Sequence, residues 1–105
     1  MKAYTDLNQS KKLAEILPIE SADMFYRDNG IDVKLMWEHN AQKVENPCWS
    51  LAALLRELPD TMLGKDKDGY VVMVETMGSG LTTFASNPID ACYEMIIKLH
   101  ELKML

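Results

Sequence analysis

A chain of 105 residues makes one domain that buries roughly 60–70% of its unfolded surface without disulfide or metal staples. With 48% hydrophobic and 26% charged residues it has the composition of an ordinary soluble globular domain. A formal charge of −5 argues against a nucleic-acid partner, because tracking phosphates takes clustered Lys and Arg, and only Lys11-Lys12 and the acid-interleaved Lys65 and Lys67 stand close together.

The first twelve residues, MKAYTDLNQSKK, hold no apolar core of a signal peptide. No apolar run approaches the roughly 18–20 residues that cross a bilayer, so no membrane partner is expected. Two cysteines, Cys48 and Cys92, are too few for a secreted disulfide framework and read as free, buried thiols in a reducing cytoplasm. Eight methionines suit gap filling and adaptable surfaces alike.

Asp6 with Gln9 forms a capping-box pattern, and the helix that follows places Leu7, Leu13, Ala14, Ile16 and Leu17 on one broad face before Pro18 ends it. Met24-Phe25-Tyr26 and Val33 to Glu38 flank Asn29-Gly30, which predicts a hairpin with a type I′ turn. Asn40 to Pro47 reads as a polar connection. Ser50 is a good N-cap for a helix over Leu51 to Leu58, with Trp49 and Leu54 at the spacing of a hydrophobic staple. Gly64 to Gly69 reads as a charged loop. Tyr70 to Glu75 is a strand whose unbroken Val71-Val72-Met73-Val74 suggests burial on both faces. After a turn at Met77-Gly78-Ser79-Gly80, Leu81 to Ser86 returns as a second strand. Asn87 caps the last helix, with Pro88 at its first position and Asp90 at its positive end.

The expected fold is α+β, one small domain over 1–105 in the order α-ββ-α-ββ-α, with antiparallel strands packed against helices. Leu13-Ala14-Glu15-Ile16-Leu17-Pro18 also resembles Leu54-Leu55-Arg56-Glu57-Leu58-Pro59, a match short enough to arise by chance.

Catalytic equipment is hard to assemble from these residues. Asp66, Asp68, Gly69 and Glu75 fall on four positions of an EF-hand loop, but Gly64 replaces its first carboxylate and two lysines intrude, so a solvated turn is expected. Cys92 and His100 lie about 12 Å apart along one helix and cannot share an ion, and His39 with Cys48 lacks zinc spacing. Ser50 is explained as a cap, and Ser79 lacks a strand-to-helix elbow. Gly78-x-Gly80 opens no helix that would cradle a phosphate. No catalytic residue, metal or cofactor is assigned. Trp37, His39, Cys48 and Trp49 remain candidates for a small-ligand or minor enzymatic site, since a thiol before a helix is sometimes activated.

On the last helix Ile89, Cys92, Met95, Ile96, Leu99 and Leu102 fill an arc of roughly 140°, a normal core face. Tyr93, Ile97 and Met104 form a second stripe. It is either buried within the fold or shared with a protein partner, including a second copy.

Pro47-Cys48-Trp49-Ser50-Leu51-Ala52-Ala53-Leu54-Leu55, Tyr70-Val71-Val72 and Asn87-Pro88-Ile89-Asp90-Ala91-Cys92-Tyr93-Glu94-Met95 together resemble small uncharacterised proteins of phages and prophage-like elements in gut Bacteroidetes. The resemblance covers most of the chain after about residue 13. It implies a cytoplasmic accessory protein of a mobile element and transfers no catalytic residue. The leading expectation is a non-enzymatic interaction module that self-associates or binds a protein through its C-terminal helix.

Overall fold

The computed structural model describes residues 2–27, 30–33, 46–76 and 79–105. Helix α1 (Leu7–Ala14) starts at the expected capping box: the Gln9 amide donates to Asp6 Oδ1 at 2.8 Å, and the Asp6 amide to Gln9 Oε1 at 3.1 Å. A 3₁₀ turn (Ile19–Ser21) leads to strands β1 (Met24–Arg27), β2 (Gly30–Val33) and β3 (Asn46–Cys48). Helix α2 (Leu51–Glu57) is followed by β4 (Thr61–Asp66), β5 (Gly69–Thr76), β6 (Ser79–Ala85) and α3 (Pro88–Glu101). The class is α+β, with two antiparallel three-stranded sheets ordered β2-β1-β3 and β4-β5-β6.

The class agrees with the sequence reading, while a strand is added on each side of α2. Asn46–Cys48, read as the end of a polar connection, pairs with β1. Pro47 is tolerated there because β3 lies at the sheet edge among the described residues, where a missing N–H breaks no ladder. Gly64 and Lys65, read as loop, continue β4, and the turn itself is only Lys67-Asp68. Asp66 builds it, accepting the amides of Asp68 at 2.7 Å and Gly69 at 3.0 Å through Oδ1. The first hairpin pairs Arg27 with Gly30 across residues 28–29, which include Asn29 of the expected turn. Those two residues, and 34–45 with much of the expected second strand, lie outside the described part.

The two sheets differ in arrangement, since the first strand is central in one and the middle strand in the other. A common helix-to-hairpin ancestry for Leu13–Pro18 and Leu54–Pro59 therefore gains nothing from the topology.

Helix α3 lies over β5 and β6 and beside α2. Ile89, Ala91, Cys92, Met95, Ile96 and Leu99 lose all solvent exposure against Val72, Val74, Leu13, Ala53, Leu54 and Trp49. Each large apolar side chain buried this way stabilises the fold by about 1.5–3 kcal/mol. Thr83, which interrupts the apolar pattern of β6, donates its hydroxyl to the Ala91 carbonyl at 2.7 Å and ties strand to helix. Leu102, expected on this core face, is 52% exposed because it is already the C-cap. The helix closes in a Schellman arrangement, Met104 N–H to Leu99 O at 2.8 Å and Lys103 N–H to His100 O at 3.0 Å, with Lys103 at φ 60° where glycine is usual.

The N-terminal segment is stitched into the middle of the chain through Thr5. Its amide donates to the Trp49 carbonyl at 3.0 Å, and its hydroxyl accepts the Trp49 amide at 3.1 Å and pairs with Ser10 Oγ at 2.8 Å. Its carbonyl accepts the Tyr26 hydroxyl at 2.7 Å. Thr5 and Ser10 are both fully buried. Replacing Thr5 by Val keeps the shape and removes the acceptor for the buried Trp49 N–H. Such a loss costs about 1–3 kcal/mol, so Thr5→Val is expected to lower the urea unfolding midpoint by that equivalent with an unchanged m-value.

A second clasp joins the N-terminal segment and the start of α1 to the start of α3. Asp90 Oδ1 accepts Lys2 Nζ at 2.8 Å and Gln9 Nε2 at 2.8 Å, and its Oδ2 accepts Asn87 Nδ2 at 2.9 Å. Lys2 also reaches Asp6 at 3.0 Å. Partial burial alone would push the Asp90 carboxyl up, but the hydrogen bonds from Lys2, Gln9 and Asn87 outweigh it and hold the group below its ordinary 3.8. A carboxyl depressed in the folded state adds stability that is present above the unfolded value and lost as pH falls through the folded one. Wild-type stability is therefore expected to drop between about pH 6 and about pH 3 by more than that of Asp90→Asn, as read from urea midpoints.

Candidate functional site: the open face of the second sheet

Side chains alternate across a strand, so β5 sends Val72 and Val74 towards α3 and Val71, Met73 and Glu75 the other way. The register carries that outer face across three strands. Met62 stands opposite Met73, which stands opposite Thr82; Gly64 stands opposite Val71, which stands opposite Phe84. Met62 is 67% exposed, Met73 41% and Phe84 52%, while Val71 is half-buried. No charged residue occupies the middle of this face. Carboxylates stand at its two ends: Asp66 and Asp68 (with Lys67 between them) at the β4–β5 turn, and Glu75 with the neighbouring Asp60 at the other.

Val71–Val74 was expected to be buried on both faces. It is central in its sheet, but among the described residues only the face under α3, with Val72 and Val74, is covered. Gly69 keeps part of the open face ordered. A Cβ there would lie 2.5 Å from the Ala85 carbonyl oxygen and 2.8 Å from Phe84 Cζ, so the Phe84 ring sits directly over the glycine backbone. On the helix side, Lys65 Nζ lies 5.9 Å from the centre of the Tyr70 ring, a cross-strand cation–π pair.

The described residues among those singled out from sequence form two separate groups, Tyr93, Ile97 and Met104 on or beyond α3, and Cys48 with Trp49 before α2. Tyr93 is half-buried and packs against the core, Ile97 is half-buried on the helix flank, and Met104 is exposed beyond the helix end. Burial pushes the Tyr93 hydroxyl above its ordinary value. Trp37 and His39 lie outside the described residues. Cys48 and Trp49 are fully buried. The Trp49 indole N–H donates to Ser21 Oγ at 2.9 Å, and the Cys48 thiol donates to the Thr5 carbonyl at 3.4 Å. Ser50 caps α2 as expected, accepting from the Ala53 amide at 3.3 Å. Asp23 in turn accepts the Ser50 amide at 2.9 Å and the Ser50 hydroxyl.

Neither thiol stands in an activating environment. Burial pushes Cys48 up, against hydrogen bonds from Thr5 and Ser10 that favour the thiolate. Burial alone pushes Cys92 up to about 11. Tyr26, beside Cys48, is raised to about 12, chiefly by burial. Among the described residues no three His, Cys, Asp or Glu side chains stand together as a metal site, and no helix is long and apolar enough to cross a membrane.

Compared with known proteins, the chain matches no family, no curated protein and no solved structure.

The face formed by Met62, Val71, Met73 and Phe84 escaped the sequence reading because an unbroken apolar run in β5 hides its own alternation. Its usable signal lay in the partner strand, where Thr82 and Phe84 alternate with Leu81, Thr83 and Ala85. Both cysteines are expected to resist a maleimide reagent in the native state near neutral pH and to react together on unfolding in urea. Rapid native labelling at Cys48 would restore the case for a reactive site there.

Proposed function

We propose that this protein is a non-enzymatic protein-interaction module whose docking surface is the open face of the β4–β5–β6 sheet. The observation that carries this reading is the clustering of three large, exposed apolar side chains, Met62, Met73 and Phe84, in two neighbouring cross-strand rows of one face. Solvating such a patch is unfavourable, and contiguous apolar surface on a soluble domain usually marks a contact site. Methionine suits the role, since its unbranched thioether adapts to the shape of what it meets. Two buried, free thiols favour a reducing compartment, in keeping with an accessory protein that works inside a cell.

A second surface rests on its own observation. Met104 and Leu102 are 48% and 52% exposed at the end of α3, beside the half-buried Ile97, and would serve self-association through that helix.

Affinity capture from a lysate of the source cells separates the two, with tagged wild type, Met73→Thr and Ile97→Asp run in parallel. Both substitutions replace partly or largely solvent-facing side chains, and circular dichroism checks that each variant is folded. The expected result is one partner enriched by wild type and Ile97→Asp and reduced at least about tenfold by Met73→Thr, equivalent to about 1.4 kcal/mol. Loss in Ile97→Asp alone would move the surface to α3. Identical captures from wild type and both variants would overturn the interaction reading.

A further inference from the structure

We infer that the occupant of the open β4–β5–β6 face is a single amphipathic helix of a partner protein, about thirteen residues long, with an apolar stripe and Lys or Arg at both ends. The inference rests on the reading of this face as the docking surface and specifies what docks there.

Size argues first. Along β5 the face runs from Gly69, opposite Asp66, to Glu75, and six residues at about 3.3 Å each span about 20 Å. Three strands about 4.8 Å apart give a width of about 14 Å. A helix is about 10–12 Å across and rises 1.5 Å per residue, so about thirteen residues laid along the strands fill the face. The footprint is about 300 Å², against roughly 800 Å² per partner in a stable protein–protein interface. A second copy seated flat on this face alone would fall well short, whereas a single amphipathic helix meets its partner along one apolar stripe.

Charge argues second. The middle of the face is neutral, and its ends carry Asp66 and Asp68 against a single Lys67, and Asp60 with Glu75. Stacking a second copy on it would bring carboxylates over carboxylates in either direction. Basic ends on a helix about 20 Å long would meet the acidic ends of the face, and like-charged ends would be repelled. The net charge of −5 adds long-range attraction for a basic segment.

The probes are two synthetic peptides of about fourteen residues with the same leucine spacing, one filled with lysine and one with glutamate. Binding is read from the ¹³C-methyl signals of Met62 and Met73, with the buried Met95 and the α3-terminal Met104 as internal references. The Leu/Lys peptide is expected to shift Met62 and Met73 saturably, leave Met95 and Met104 in place, and bind at least about tenfold more tightly than the Leu/Glu peptide. Asp68→Lys combined with Glu75→Lys, one exposed acid from each end, is expected to abolish that preference. Met73→Thr is expected to weaken the Leu/Lys peptide about tenfold. Equal binding of both peptides, or a preference that survives the charge reversal, would overturn the basic helix and leave the docking face standing. Shifts confined to Met104 would place the site on α3. A dimer in sedimentation velocity that disappears in Met73→Thr would assign the face to a second copy.

Discussion

The fold depends on one helix covering one side of a sheet. Helix α3 presents an unbroken set of fully buried side chains from Ile89 to Leu99, and Val72 and Val74 of β5 are what they meet. That contact settles which face of the second sheet is inside. Among the described residues it also leaves the opposite side of the same three strands uncovered, because α2 packs beside α3 and α1 packs on the other sheet at β3. The exposed methionines follow from this supply of helices, and no local peculiarity of the strands is needed to explain them.

The two halves are held to each other by polar stitching as well as by the core. Thr5 spends its amide, hydroxyl and carbonyl on Trp49, Ser10 and Tyr26, and Asp90 gathers Lys2, Gln9 and Asn87. Both hubs reach residues far apart in sequence, so they reward closure of the whole chain rather than of one hairpin. Cys48 is drawn into the first hub and thereby withdrawn from chemistry: it is fully buried, it bonds to neutral Thr5, and burial and the Asp23 charge both disfavour its thiolate.

Local signals in the sequence carried most of the architecture. Capping residues Asp6, Ser50 and Asn87 each mark a helix start where the structure has one, because a cap is decided by neighbours three residues away. Strand β3 was illegible since Asn46-Pro47-Cys48 has neither alternation nor β-branched residues, and only its pairing with Met24 to Tyr26 makes it a strand. Gly64 and Lys65 were hidden for the same reason, held extended by Val71 and Tyr70 across the ladder. The candidate site was less legible still. Whether Met73 lies inside or outside depends on how many helices reach the sheet, which no window of the sequence contains. The second stripe of α3 shows the same limit, splitting into a packed Tyr93, a half-buried Ile97 and a free-standing Met104.

The Phe84 ring over Gly69 gives the open face two kinds of mechanical character. With the glycine backbone beneath it, the ring has little rotameric freedom left to lose when something settles on it, so part of the ordering cost of association has been met during folding. Met62 and Met73, standing opposite each other, keep three rotatable bonds apiece and conform to whatever arrives. A stiff landmark beside two pliable neighbours would fix where the proposed partner sits while tolerating variation in its shape. Gly69 and Phe84 are accordingly expected to change together or not at all among related sequences, whereas the methionines are free to drift among unbranched apolar residues.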